Sequence, residues 1–241
     1  MLQGNSIFFS IGAGDGCFEK TLVEELNLKL NYFCGIEPDT LRAGKLNEVL
    51  ISLGIQYNII QSLFDKEFRV VDKRREKFDL IMFCHSLYSF QDPHEAILHS
   101  KNFLKPDGKI FIIHEGEGAV DAIQNYLVSR SDPNIYSIRR CISDETLTAE
   151  KILTLLAESS PDLSTSVMEE ISHTDVDDFV RKTEAPGSSD IISFCLQAEY
   201  GRLSEETKEN IHRTVVNHCD VVDGRYFMKS REVGIVVSTV A

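Results

Sequence analysis

The run Ser10-Ile11-Gly12-Ala13-Gly14-Asp15-Gly16 sets three glycines at alternate positions, after an apolar stretch and before an amphipathic one. Glycines in such a turn leave no side chain in the way, so a ligand can approach backbone N–H groups at a helix N-terminus. Glu37 closes a second apolar run, where a carboxylate can accept both hydroxyls of an adenosine ribose. A glycine turn alone also occurs in proteins that bind nothing. Turn, helix, second strand and terminal Glu together form a nucleoside-binding pattern. The spacing is GxGxG, one residue shorter than the GxGxxG of dinucleotide folds, whose helix end receives a pyrophosphate. Asp15 would repel a pyrophosphate and attract an ammonium. The expected cofactor is therefore S-adenosyl-L-methionine, with its carboxylate and amine, ahead of NAD.

Other polar residues gather where further strands end. Gln61 and Ser62 offer an amide and a hydroxyl to an adenine edge, with Leu63 and Phe64 as an apolar slot. Cys84-His85-Ser86-Leu87-Tyr88 leaves the fourth strand, where His85 can serve as a base or as polar lining. Tyr88 can turn a π face to a cation or pack into the core. Glu115 and Glu117, flanking Gly116, can face an amine substrate or water. No GxSxG elbow, Walker lysine or HExxH is present, and His94, His99, His173, His212 and His218 show no metal-ligand spacing. No metal is expected, and no single side chain is marked as an obligatory catalyst.

These residues need a scaffold, and the hydrophobic pattern supplies one. Strand-like runs at Ile7–Ile11, Asn31–Ile36, Tyr57–Gln61, Phe78–Phe83 and Lys109–His114 alternate with helical patterns at Phe18–Leu26, Thr40–Leu53 and His94–Leu104. Strand and helix in alternation require right-handed crossovers and a parallel, doubly wound α/β sheet. Asp39 and Asp92 stand where helix caps belong, and Lys105-Pro106-Asp107-Gly108 reads as a turn with Gly108 at positive φ. The second half is less regular. It reads as a helix over 144–158, capped by Ser143 or Asp144, and a strand over 163–171. A loop-rich stretch over 173–190 follows, with a short helix at 176–181. Helices over 191–200 and 204–216 and strands over 225–228 and 232–240 complete the pattern. One domain over residues 1–241 is expected, in which about 173–230 form a helical and loop insertion covering the substrate side.

The chain has 241 residues, 42% of them hydrophobic, enough for a large buried core. Lys and Arg number 25 against 38 Asp and Glu, and the net charge of −13 opposes a phosphate-neutralising nucleic-acid surface. It suits a small cationic ligand. Six scattered cysteines without a CxxC pair point to reduced thiols and the cytoplasm. No apolar run of about 18 residues is present that would span a membrane.

Three segments carry a resemblance: SIGAGDGCFEKTLV, GIEPDTLRAGKLNEVL and FDLIMFCHSLYSFQDPHEAI. Together they resemble the class I S-adenosylmethionine-dependent methyltransferases, and among these the histamine N-methyltransferase family. Weaker likeness extends through IISFCLQAEY and YFMKSREVGIVVSTVA. The resemblance implies a seven-stranded, mostly parallel sheet with an antiparallel last strand, and cofactor contacts from Gly12, Glu37, Arg42, Ser62 and Cys84. Gly14, Asp15, Gly16, Gln61 and His85 complete the expected cofactor site, and Tyr88, Ser89, Glu115 and Ser230 the acceptor site. The sequence departs from the family in having no Trp, in Tyr88-Ser89 where paired tyrosines stand, and in Ser230 where an asparagine stands. Family members also carry a helical cap before the first strand, whereas here that strand starts at residue 7. A lid is then expected from 173–230 or from a partner chain. The reading is N-methylation of a small amine or heterocycle, histamine-like in a diverged pocket. A cofactor-binding but silent interaction protein and an NAD-dependent oxidoreductase are the alternatives.

Overall fold

The computed structural model describes residues 6–69, 77–129, 147–183, 187–196 and 199–239. Eight strands form one sheet: β1 (Ser6–Ile11), β2 (Leu30–Ile36), β3 (Tyr57–Ile60), β4 (Phe78–Cys84), β5 (Leu104–Glu115), β6 (Leu163–Asp175), β7 (Cys219–Val222) and β8 (Arg225–Thr239). The helices are α1 (Cys17–Glu25), α2 (Thr40–Leu53), α3 (Pro93–Lys101), α4 (Ala119–Ser129), α5 (Ala149–Ser159), α6 (Asp177–Val180), α7 (Asp190–Leu196) and α8 (Glu205–Asn217). Strand order is β3-β2-β1-β4-β5-β8-β6, with β7 paired to β8. The first five strands are parallel neighbours, and β1 lies between β2 and β4. The last long strand, β8, runs antiparallel: Ser164 meets Ser238 while Ser172 meets Ser230.

By internal packing the chain forms two units. The first comprises residues up to His114, Ile152–Met168 and Gly234 onward; the second comprises Glu115–Lys151 and Glu169–Val233. In the first, all six residues of β1 are buried, as a central strand covered on both faces requires. Phe8 packs with Phe33, Leu46, Leu50 and Met82, on the side covered by α2. Phe9 points the other way and stacks on Phe78 with ring centroids 4.5 Å apart, within a cluster that also holds Phe64, Phe68 and Phe103. Large rings on both faces clamp the strand that leads into the glycine turn. In the second unit, Val120 and Ile123 of α4, Ile211 and Val215 of α8, Phe179 and Met228 make a separate core.

Helix starts follow the capping expectation. Asp39 accepts the N–H of Arg42, Asp92 that of Glu95, and Ser204 that of Thr207. Three expectations change. Residues 105–108 do not form a turn before the strand but lie within β5, where the register to β4 slips between Phe78 and Leu80. Gly108 keeps negative φ; its missing Cβ matters because one would stand 2.8 Å from the carbonyl oxygen of Phe78. The two late strands merge into β8, and β7 and α4 were not foreseen. The expected caps at Ser143 and Asp144 and the Lys73-Arg74-Arg75 charge run lie outside the described residues.

Candidate functional site

The glycine turn joins the buried end of β1 to α1, and each glycine has its own reason. Gly12, Gly14 and Gly16 all hold positive φ, at 74°, 59° and 80°. A Cβ on Gly12 would stand 2.6 Å from Cβ of Ser86, and one on Gly16 would stand 2.7 Å from Leu46. A Cβ on Gly14 would meet nothing within 4 Å. Gly12 and Gly16 thus let protein segments close together, while Gly14 borders open space.

Five backbone donors of this turn and of the helix start, those of Gly12, Ala13, Gly14, Gly16 and Cys17, are already committed. Gly12 and Ala13 N–H both donate to the carbonyl of Ile36 at 2.9 Å, and Gly16 N–H donates to Ala13. Gly14 N–H donates to Glu37 Oε2 at 2.8 Å, and Asp39 N–H donates to Glu37 Oε1 at 2.9 Å. Cys17 N–H donates to Asp15 Oδ1, which holds the Asp15 carboxyl below its usual range. For Gly12, Ala13, Gly14, Gly16 and Cys17 the sequence expectation of donors free to meet a ligand is corrected: these N–H groups bind the protein, and at these positions the turn offers shape and carboxylates. Beside Asp15, such a turn suits the ammonium of an amino-acid end and disfavours a pyrophosphate, which needs free donors or cations.

Glu37 is 5% exposed and sits just past β2, and Gln61 and Ser62 follow β3 at the same sheet end, because Ile36 and Ile60 are paired. Each of its oxygens takes one backbone donor and keeps lone pairs for ligand hydroxyls. The Ser62 hydroxyl is buried and meets no hydrogen-bond partner among the described residues. Arg42 on α2 and Gln61 are exposed, as is Leu63, whereas Phe64 turns inward to the phenylalanine cluster and lines no adenine slot.

The segment after β4 is fixed to the glycine turn by Ser86, whose buried hydroxyl donates to the carbonyl of Ile11 at 2.7 Å. His85 adopts φ 46°, a conformation non-glycine residues seldom take, and its N–H donates to Ile113. Its ring lies near parallel to His114 at 6.5 Å, and Tyr88 lies 5.8 Å from the same imidazole. Cys84, His85 and Tyr88 are half-buried and Ser89 is exposed. The structure therefore brings Gly12, Gly14, Asp15, Gly16, Glu37, Ser62 and the 84–88 segment to one end of the sheet in the first unit. Glu115 and Ser230 belong to the second. There Glu115, Gly116, Asp121, Gln124, Leu147 and Thr148 line a small cleft. Ser230 is buried, with its carbonyl accepting from Ser172.

Sequence reasoning missed two residues of this neighbourhood. His114, which the sequence marks only as a strand end, lies beside His85 and Tyr88. Glu19, on α1, is 2% exposed and accepts a hydrogen bond from Ser10 Oγ at 2.6 Å. Burial pushes its carboxyl up to about 7. A signal was available: Glu19, Leu22 and Val23 share the inward stripe at three- and four-residue steps, while Phe18 is turned outward.

A parallel sheet with helices between its strands, a reversed last strand and a glycine turn facing an acidic second-strand end define the methyltransferase class of α/β proteins. A family model described as a methyltransferase domain matches residues 5–125, half of the chain, and the chain belongs to that family. Among solved structures it is similar to the YcgJ protein of Bacillus subtilis, with 14% identity, TM-score 0.59 and coverage of 99% of this chain and 94% of that one. An S-adenosylmethionine-dependent methyltransferase from Geobacter sulfurreducens, in complex with S-adenosyl-L-homocysteine, is 13% identical with TM-score 0.54 over 99% of this chain and 86% of that one. One from Thiobacillus denitrificans, in complex with the same molecule, is 14% identical with TM-score 0.53 over 99% and 87%. At these identities the likeness establishes the fold. No curated protein matches the sequence.

A methyltransferase domain draws its methyl group from S-adenosyl-L-methionine. The residues present fit that cofactor: a buried carboxylate for the ribose, an unpartnered buried hydroxyl at Ser62, an uncrowded Gly14 and the acidic Asp15. Among the described residues no group of three or more His, Cys, Asp or Glu could hold a metal, and no helix is long and apolar enough to cross a membrane.

Proposed function

We propose that this chain transfers a methyl group from S-adenosyl-L-methionine to the nitrogen of a small amine or heterocycle. The observation that carries the donor half is Glu37. It is a buried carboxylate set by Gly14 and Asp39 so that both oxygens keep lone pairs for the ribose. The acceptor half rests on charge and lining. The net charge of −13, the carboxylates Glu115 and Asp121 on one cleft and the half-buried Tyr88 ring all suit a cationic or polarised nitrogen base.

When bound, the sulfonium supplies an activated methyl group with a good leaving group. The protein's work is then binding and orientation. Gly14 leaves room for the nucleoside, Glu37 fixes the ribose, Ser62 takes an adenine edge, and Asp15 faces the amino-acid end. Arg42, Gln61 and Cys84 complete the lining. Ser86 ties the 84–89 segment to the end of β1, so that His85, Tyr88 and Ser89 keep a fixed distance from the donor. Holding the acceptor nitrogen about 3–3.5 Å from the methyl supplies most of the rate advantage as prepaid entropy. His85 is the group available to take a proton from an incoming ammonium. This reading assigns acceptor selectivity to Glu115, Ser230 and the helical part of residues 173–230. A histamine-like ring amine is the acceptor class this reading favours, and the cytoplasm, with its reduced thiols, is its place of action. Tritiated methyl transfer to a panel of small amines and heterocycles tests it. Labelled amine products support the reading, and transfer confined to oxygen or carbon acceptors overturns its nitrogen part.

A further inference from the structure

A carboxyl group is lodged directly behind the glycine turn. Ser10 lies on β1, two residues before Gly12, and is 1% exposed; Glu19 lies on α1, three residues after Gly16, and is 2% exposed. Their side chains meet at 2.6 Å, the hydroxyl donating to Oε1, so the pair joins the strand that enters the turn to the helix that leaves it. The charged groups acting on Glu19 are Asp15 in the turn and Glu37 at the end of β2, both carboxylates. Lys45 on α2 acts on Asp15 and Cys17 instead.

Packing alone gives no reason for this residue. An apolar pair at positions 10 and 19 would join helix to strand without burying a charge, and such replacements are commonly neutral or stabilising. What a carboxyl adds is a response to charge. Burial, with the two neighbouring carboxylates, raises its titration to about 7, within reach of neutral pH. A positive charge brought into the turn stabilises the ionised form. The methyl donor carries a sulfonium, whereas the thioether left after transfer is uncharged at sulfur.

We propose that Glu19 is a specificity-determining residue of the cofactor site: it gives up its proton when the sulfonium donor enters and takes one back when the thioether product remains. The proton passes to solvent on donor binding and returns from solvent after transfer, so no other reactant is consumed. The site thereby holds donor more tightly than product, which favours exchange of the spent cofactor. The inference rests on the cofactor reading of the glycine turn.

Calorimetric titration of S-adenosyl-L-methionine and S-adenosyl-L-homocysteine, near pH 7 in buffers of different ionisation enthalpy, reads proton release directly. Glu19→Gln keeps an acceptor for Ser10 and removes the titration. Wild-type protein should release a larger fraction of a proton with the sulfonium than with the thioether. In Glu19→Gln that excess should fall, and the affinity ratio of donor to product should drop by about threefold or more. Titration of the ligand's own amine is common to both proteins and cancels. An excess and a ratio that are unchanged in the variant overturn the inference while leaving the cofactor reading intact; failure of the wild type to bind either ligand overturns both. Should the variant not fold, infrared difference spectra of the wild type decide. A protonated-carboxyl band lost with the sulfonium and kept with the thioether supports the proposal, and a band that responds equally to both contradicts it.

Discussion

Gly14 and Glu37 are joined by a 2.8 Å hydrogen bond from the backbone N–H of the glycine turn to the buried carboxylate at the end of β2. The contact couples the two halves of the nucleoside cradle, since the group that fixes the turn is the one proposed to hold the ribose. With Ile36 taking the N–H groups of Gly12 and Ala13, it leaves the turn short of free donors. That geometry separates a sulfonium nucleoside from a dinucleotide on one fold.

Removing the carboxylate should cost affinity first. Charge-assisted hydrogen bonds contribute about 1.5–3 kcal/mol each, so Glu37→Ala should weaken S-adenosyl-L-homocysteine binding by about tenfold or more in a calorimetric titration. Glu37→Gln, which keeps one acceptor oxygen, should fall between. Unchanged affinity in both would remove Glu37 from the site.

The glycines should separate by role. Both Gly12→Ala and Gly14→Ala incur about 1–2 kcal/mol for a left-handed backbone. Only Gly12→Ala also drives a Cβ to 2.6 Å from Ser86. Denaturant unfolding should show the larger loss at Gly12, and Gly14→Val should keep its circular dichroism yet lose cofactor binding. Equal losses of stability at the two positions would contradict the separate roles given to Gly12 and Gly14.

Stability should depend on pH through Glu19. Its carboxyl titrates near 7 in the fold against 4.5 in the unfolded chain, so the protonated form is favoured by folding. The contribution is fully present below about pH 4.5 and is lost as pH rises through 7. Above that, the fold carries an ionised, buried carboxylate at a cost on the order of 3 kcal/mol. Relative to wild type, Glu19→Gln should therefore be more stabilised at pH 8 than at pH 5 in unfolding curves. A difference constant across that range would contradict the assignment.

His85 should reveal backbone strain rather than side-chain packing. Asn tolerates its left-handed conformation and Ala does not. His85→Asn should unfold at nearly the wild-type midpoint, and His85→Ala should lose about 1 kcal/mol more. Equal losses would mean that the imidazole contacts with His114 hold the segment.

Much of the first half was legible because its signals are local. Phe8 and Phe9, on opposite faces of a largely apolar strand, imply a covered parallel sheet, and Asp39 and Asp92 cap helices as their positions require. What escaped depends on partners distant in sequence. The role of Ser86 exists only because β4 lies beside β1, which brings it under Gly12. Glu19 stands in the first turn of α1, where the helix dipole favours an acid, and only its place on the inward stripe sets it apart. Residues 105–108 carry strong turn chemistry, yet they lie within β5, between the β4-paired Leu104 and Lys109, where the register shifts. In the second unit α4 begins just after Gly118, and its apolar positions Val120 and Ile123 pack against α8, a contact that no short window of sequence contains.

The most direct measurement is a crystal structure of the chain with S-adenosyl-L-homocysteine. The account predicts ribose hydroxyls on the Glu37 carboxylate, the nucleoside passing over Gly14 and a polar edge of adenine at the Ser62 hydroxyl. A nucleoside seated elsewhere, or one whose ribose leaves Glu37 bonded only to Gly14 and Asp39, would contradict it.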